Sequence, residues 1–224
     1  MRITLPSGTP AELAVPVASV TPRRGLVLMP DVMGLRPLFD EMCARLAEEH
    51  QWAVCAPEPF PGHENFTIDE RFAFMPEVTD DQRLGDVMAA ADVAAAEAGG
   101  APVAVLGFCM GGMYTLKAAG TGRFDRAVAF YGMVRVPEPW KGPGHGEPLD
   151  WLSRPSPTKV LAIVGGQDSM CPPEDVAALR ALGDRAEIAF YPEGQHGFVH
   201  DPARPTHRSD DAADAWSRAI AFLA

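Results

Sequence analysis

Three short segments of this 224-residue chain carry side chains suited to attack on a carbonyl carbon. Cys109 sits in Gly107-Phe108-Cys109-Met110-Gly111-Gly112, Asp168 closes Gly165-Gly166-Gln167-Asp168, and His196 lies within Gly194-Gln195-His196-Gly197-Phe198. A thiol, an imidazole and a carboxylate can work as one unit. The carboxylate accepts the Nδ1 proton and fixes the imidazole tautomer, leaving Nε2 to take the thiol proton. Such help is needed because a free cysteine, with a pKa of about 8.5, is only a few per cent ionised at neutral pH. The thiolate can then attack an ester carbonyl, and backbone N–H groups can stabilise the resulting oxyanion.

Gly-x-Cys-x-Gly arises by chance in about one or two chains in a hundred of this length, so its flanks decide its weight. An apolar run precedes it and a helix-forming run follows, the pattern of a nucleophile elbow. A side chain at Gly107 or Gly111 would collide across the turn, and the strained bend should present Cys109 to substrate rather than bury it. The helix opening at Met110 adds its positive end, and the Met110 N–H is a candidate oxyanion donor. Asp168 is placed at the carboxyl end of a predicted strand, 160–164, and His196 in a glycine-flanked loop after 188–191.

The elements that must position these residues alternate along the chain. Strands are predicted at 25–30, 52–56, 103–106, 127–131, 160–164 and 188–191, and helices at 38–49, 80–98, 110–119, 173–182 and 210–223. Alternation of this kind builds a mostly parallel sheet flanked by helices on both faces. With the elbow and the order nucleophile, acid, histidine, the expected class is α/β, specifically the α/β-hydrolase fold, as one domain over 1–224. The proline-bearing stretches 57–79 and 132–157 read as loop excursions near the active site.

Composition narrows the partners. A formal net charge of -11 with no Lys/Arg-rich run argues against nucleic acid. The first residues lack a basic start and apolar run, and no stretch approaches about 20 apolar residues, so no membrane association and a cytoplasmic location are expected. Cys43, Cys55 and Cys171 read as buried small hydrophobes, without disulfide or zinc spacing. His50, His63, His145, His200 and His207 read as mostly surface residues. His196 and His200 could share a helix face as metal ligands, but Gly197 and its turn-forming neighbours oppose a helix there. Neither metal nor organic cofactor is expected.

Beside these motifs stands Leu28-Met29-Pro30-Asp31-Val32-Met33-Gly34-Leu35. With Gly-Phe-Cys-Met-Gly-Gly, Gly-Gly-Gln-Asp and Gly-Gln-His-Gly-Phe in this order, the chain resembles the dienelactone hydrolase family from about residue 25 to the C-terminus. The resemblance implies that Val32 supplies the second oxyanion amide beside Met110 and that Cys109, Asp168 and His196 are the triad. Asp31 stands where family members with dienelactone activity have a glutamate near the cysteine. Two roles are open to this shorter side chain: reaching Cys109 through a water, or capping the following turn. The family also clamps the lactone carboxylate with arginines, one of them four residues beyond the histidine, where this chain has His200. A largely neutral imidazole does not replace a guanidinium fork. Arg204, Arg71 and Arg83 are the candidates for substrate-binding cations.

The leading expectation is hydrolysis of a small-molecule ester or lactone through an acyl thioester, by a monomer or small homo-oligomer. A thioesterase or acyltransferase could use the same triad, since acceptor choice depends on pocket shape and water access. A binding module on a hydrolase scaffold is the non-enzymatic alternative, against which the presence of all three triad residue types argues.

Overall fold

The computed structural model describes residues 1–17 and 19–224. Its strands are β1 (Arg2–Thr4), β2 (Pro10–Ala14), β3 (Arg24–Met29), β4 (Trp52–Pro57), β5 (Val103–Phe108), β6 (Arg126–Phe130), β7 (Lys159–Gly165) and β8 (Ala186–Tyr191). The helices are α1 (Pro37–His50), α2 (Ile68–Phe74), α3 (Asp80–Glu97), α4 (Met110–Ala119), α5 (Pro148–Leu152), α6 (Pro173–Arg180) and α7 (Ser209–Leu223). The strands form one eight-stranded sheet in the order β1-β2-β4-β3-β5-β6-β7-β8. β3 with β4, β6 with β7, and β7 with β8 pair in parallel; β1 with β2 and β2 with β4 pair antiparallel.

Burial explains why six strands were readable in advance. Every residue of β3, β4 and β5 is buried, and apart from Arg24 at the start of β3 these strands are unbroken apolar runs, as expected of strands covered on both faces. The N-terminal hairpin was missed. β1 has only three residues, none of them fully buried, and therefore lacks an apolar signature. The hairpin is stapled instead by polar contacts: Ser7 in the turn and Thr9 after it each donate a hydroxyl to Asp86 Oδ1 of α3 at 2.7 Å.

The chain gathers into two compact units, Met1–Val105 with Glu138–His145, and Leu106–Pro137 with Gly146–Ala224. Within the first, α1 packs on β2 and β4, and α3 on β3 and β4. Within the second, α4 packs on α5, β6 and β7, α7 on β6, β7 and β8, and α6 on β8.

Both proline-rich excursions hold structure that periodicity did not reveal. α2 opens with a complete capping box, the Thr67 side chain accepting from Glu70 N and the Glu70 carboxylate accepting from Thr67 N. Thr-x-x-Glu was the available signal. α5 starts on Pro148, whose fixed φ suits the first turn of a helix. In the first unit the two excursions meet: His145 Nε2 lies 2.9 Å from the Met75 carbonyl, Asp80 N donates to Gly144 O at 2.9 Å, and Phe72 stacks on Trp140 at 5.9 Å.

Candidate active site

Cys109 occupies the position between β5 and α4, with φ 56° and ψ −118°. Its N–H donates to Phe130 O at 3.0 Å, and its carbonyl accepts from Met113 N at 2.9 Å. The glycines around it answer to close approach. A Cβ on Gly107 would stand 2.4 Å from Gly111 O and 2.6 Å from Thr115 Oγ1, and one on Gly112 would stand 2.8 Å from both Gly132 Cα and Phe130 O. At Gly107 the turn is therefore as tight as the glycine spacing predicted. The cysteine itself is only 8% exposed, so the expectation of a freely presented thiol is corrected: the close-packed elbow encloses most of its surface.

The other two expected residues converge on it. Asp168, 4% exposed, follows β7 and uses both carboxylate oxygens: Oδ1 accepts from Met170 N at 2.8 Å, and Oδ2 lies 2.9 Å from His196 Nδ1. His196 also hydrogen-bonds Cys109. Burial alone would pull the imidazole pKa down, but hydrogen bonds to Asp168 and Cys109, with the charges of both, raise it from 6.5 to about 10. The arrangement can thus hold a proton on His196 beside the thiol at the head of a helix. The Met110 N–H is in that helix's first turn, where amides have no partner within the helix.

His200 is the main correction among the histidines. Expected at the surface, it is 3% exposed, stacks on Phe108 at 4.8 Å, and shares a short hydrogen bond through Nδ1 with the Tyr131 hydroxyl. The segment 196–200 is a turn and not a helix, and no cluster of three His, Cys, Asp or Glu side chains able to hold a metal occurs among the described residues. His50, His63, His145 and His207 are half-buried. Arg204 is ion-paired with Asp201 at 3.8 Å. Cys43, Cys55 and Cys171 are free and buried, as expected.

The remaining expected residues lie in the first unit. Asp31 is 0% exposed; its Oδ1 accepts from Met33 N at 2.9 Å, and Arg36 forks onto its two oxygens at 2.7 and 3.0 Å. It thus caps the turn that contains Val32. Arg71 is buried with its donors directed at protein: Nε to Phe66 O at 3.1 Å, Nη2 to Glu64 O at 2.6 Å, and Nη1 to Val32 O at 3.4 Å and toward Glu58 at 3.7 Å. Arg83 is 3% exposed and lies 3.7 Å from Asp86.

Two residues escaped sequence reading. Glu58, 3% exposed, accepts from Leu35 N and Phe60 N, each at 2.9 Å, and so ties the Val32 turn to the end of β4. A carboxylate just past a parallel strand was its signal. Tyr131 had none, because its significance lies in contacts with residues far along the chain.

Comparison with known proteins agrees with this architecture. A model of the dienelactone hydrolase family matches residues 10–224. A Salmonella typhimurium protein assigned as a carboxymethylenebutenolidase is 33% identical over 226 residues, covering 96% of this chain and 82% of its own. The carboxymethylenebutenolidase of Rhodococcus opacus is 27% identical, covering 88% and 79%. Among solved structures, a Klebsiella pneumoniae protein assigned as a dienelactone hydrolase superposes with a TM-score of 0.85 at 28% identity, covering 99% of this chain and 96% of its own. The eight-stranded sheet with its helices is an α/β-hydrolase fold.

Proposed function

The chain belongs to the dienelactone hydrolase family, and from that membership we propose that it cleaves a small ester or lactone with Cys109, His196 and Asp168, through an acyl thioester. The observation that carries this reading is the two-sided engagement of His196, with Asp168 at Nδ1 and the thiol of Cys109 as its second partner. The hydrolase class itself rests on the family match and the carboxymethylenebutenolidase relatives.

In the proposed mechanism, His196 holds the thiol proton and Cys109 attacks as thiolate. The Sγ electron pair forms the bond to the carbonyl carbon, and the carbonyl π pair moves onto oxygen. That oxyanion is met by the Met110 N–H, which is free of the helix ladder. Collapse breaks the carbon–oxygen ester bond, and the leaving alkoxide takes the proton from His196 Nε2. Water then attacks the thioester as His196 removes its proton, and the second collapse expels the thiolate and releases the acid. Asp168 holds the imidazole orientation and stabilises its charged form throughout. The second oxyanion amide from Val32, a role for Asp31 beside the cysteine, and substrate contacts from Arg83, His200 or Arg204 belong to the same proposal on family resemblance alone, whereas the donors of Arg71 are directed at protein.

The test is a panel of p-nitrophenyl esters, neutral lactones, dienelactone and acyl thioesters, run on wild type and Cys109→Ala. Hydrolysis of esters or lactones that iodoacetamide blocks, and that Cys109→Ala abolishes, is the expected result. Full esterase activity in folded Cys109→Ala would overturn the mechanism. Prolonged chelation should leave the rate unchanged; loss restored by zinc would point to a metal reaction instead.

A further inference from the structure

Tyr131, the residue after β6, has a φ of 39° and is 1% exposed. Bulky side chains rarely adopt positive φ, and such a conformation persists only where the surroundings enforce it. Here they do. Its N–H donates to Ile163 O of β7 at 2.7 Å, and the next residue, Gly132, is pressed so closely on α4 that a Cβ would lie 2.5 Å from the Gly112 carbonyl carbon. The backbone is pinned between a strand and the helix that follows Cys109.

The ring this strain aims meets three alternate residues of the histidine loop. It packs edge-to-face against His196 at 5.3 Å and 65°, contacts Phe198 at 5.9 Å, and hydrogen-bonds His200 through its hydroxyl. That loop belongs to no strand or helix, and Phe198 and His200, 0% and 3% exposed, are its buried anchors on one side of His196. His200 also stacks on Phe108, the residue before the nucleophile.

We propose that Tyr131 is a positioning residue for His196: one strained backbone position aims a ring against the imidazole and, through the hydroxyl and His200, fixes the loop that carries it. The inference rests on the reading of Cys109, His196 and Asp168 as the reacting groups. Asp168, Cys109 and the Tyr131 ring are among the neighbours that His196 meets. A histidine that must exchange protons with a thiol on one side while bonded to a carboxylate on the other tolerates little rotation, and misplacement by about 1 Å can cost about a hundredfold in rate.

The experiment compares Tyr131→Leu, Tyr131→Phe, His200→Phe and the Tyr131→Phe/His200→Phe pair. It measures ester turnover, circular dichroism, and the pH profile of Cys109 alkylation by iodoacetamide read on the Cys109 peptide. Tyr131→Leu should lower kcat about a hundredfold, leave KM within about threefold, and slow the alkylation of Cys109 at neutral pH. Tyr131→Phe and His200→Phe should each lower kcat about tenfold, and the pair no further, since both remove one hydrogen bond. A folded Tyr131→Leu with wild-type kcat and alkylation profile would refute the proposal. So would fully additive losses in the two phenylalanine variants with an unmoved profile, an outcome that needs no leucine variant. Wild type that keeps full turnover after Cys109 is alkylated would instead remove the cysteine reading on which the proposal stands.

Discussion

His196 Nδ1 lies 2.9 Å from Asp168 Oδ2, joining two loops at the carboxyl ends of β7 and β8, residues separated by 28 positions in sequence. Because Asp168 Oδ1 is held by the Met170 amide, the carboxylate cannot swing away, and Oδ2 stays aimed at the ring. Replacing the acid with its amide keeps the shape but permits the wrong tautomer. We expect Asp168→Asn to fold normally and to lower kcat by about 10⁴. Steady-state kinetics alongside a thermal melt measures both.

The raised pKa of His196 gives a signed pH dependence. Its imidazolium form should persist from its ordinary 6.5 to about 10. A folded-state pKa above the unfolded value contributes stability that is complete below pH 6.5 and lost as pH rises through about 10. Nitrogen-15 NMR should place the His196 titration near 10 in wild type and markedly lower in Cys109→Ala and in Asp168→Asn, each of which removes a cause of the shift. An unchanged titration in both variants would contradict this assignment of causes.

Among the four cysteines, only Cys109 should react. Burial, the largest cause, together with nearby carboxylates pushes the Cys55 and Cys171 thiols up to about 12, and that of Cys43 rises as well. Mass spectrometry after brief iodoacetamide treatment at neutral pH is expected to find one adduct, on the Cys109 peptide. Modification of Cys171 at a comparable rate would show its surroundings to be open.

The elbow should not accept a methyl group. In Gly107→Ala the new Cβ would meet the backbone oxygen of Gly111 at 2.4 Å, and no rotamer can relieve a contact with backbone. We expect a loss of about 2–3 kcal/mol in denaturant unfolding and a rate reduced by at least about a hundredfold, because the shift displaces Cys109.

Arg71 should behave as a structural clamp on the Val32 turn. Its guanidinium donates to the carbonyls of Phe66, Glu64 and Val32 and faces Glu58, which is 3% exposed. Removing it leaves the buried Glu58 carboxylate without this counter-charge, and Arg71→Ala is expected to cost about 3–5 kcal/mol by urea titration. Arg71→Lys should recover little, because an ammonium cannot reproduce a planar fork aimed at several separate acceptors. Recovery of full stability by lysine would mean that charge alone matters at this position.

Much of the fold and candidate site was legible in the sequence. Residues buried on every position of β3, β4 and β5 leave apolar runs broken only by Arg24 at the start of β3, and the tight turn around Cys109 leaves its glycines, so local backbone demands were written into local residue types. Chain order then singled out Asp168 and His196, each at the end of a strand. The short or polar elements were not readable: β1 buries too little to show a period, and α2 rests on a cap and not on an apolar stripe.

Tertiary structure alone decided how Cys109 is surrounded. That the thiol is 8% exposed, that His200 is buried against Phe108, and that Tyr131 reaches His200 across 69 positions depend on which loops meet when the sheet is complete. No residue type or spacing encodes such a meeting. Hydrophobic periodicity and turn glycines record what each segment requires of its own backbone, whereas the contacts of a buried polar side chain are fixed only when distant segments close on it.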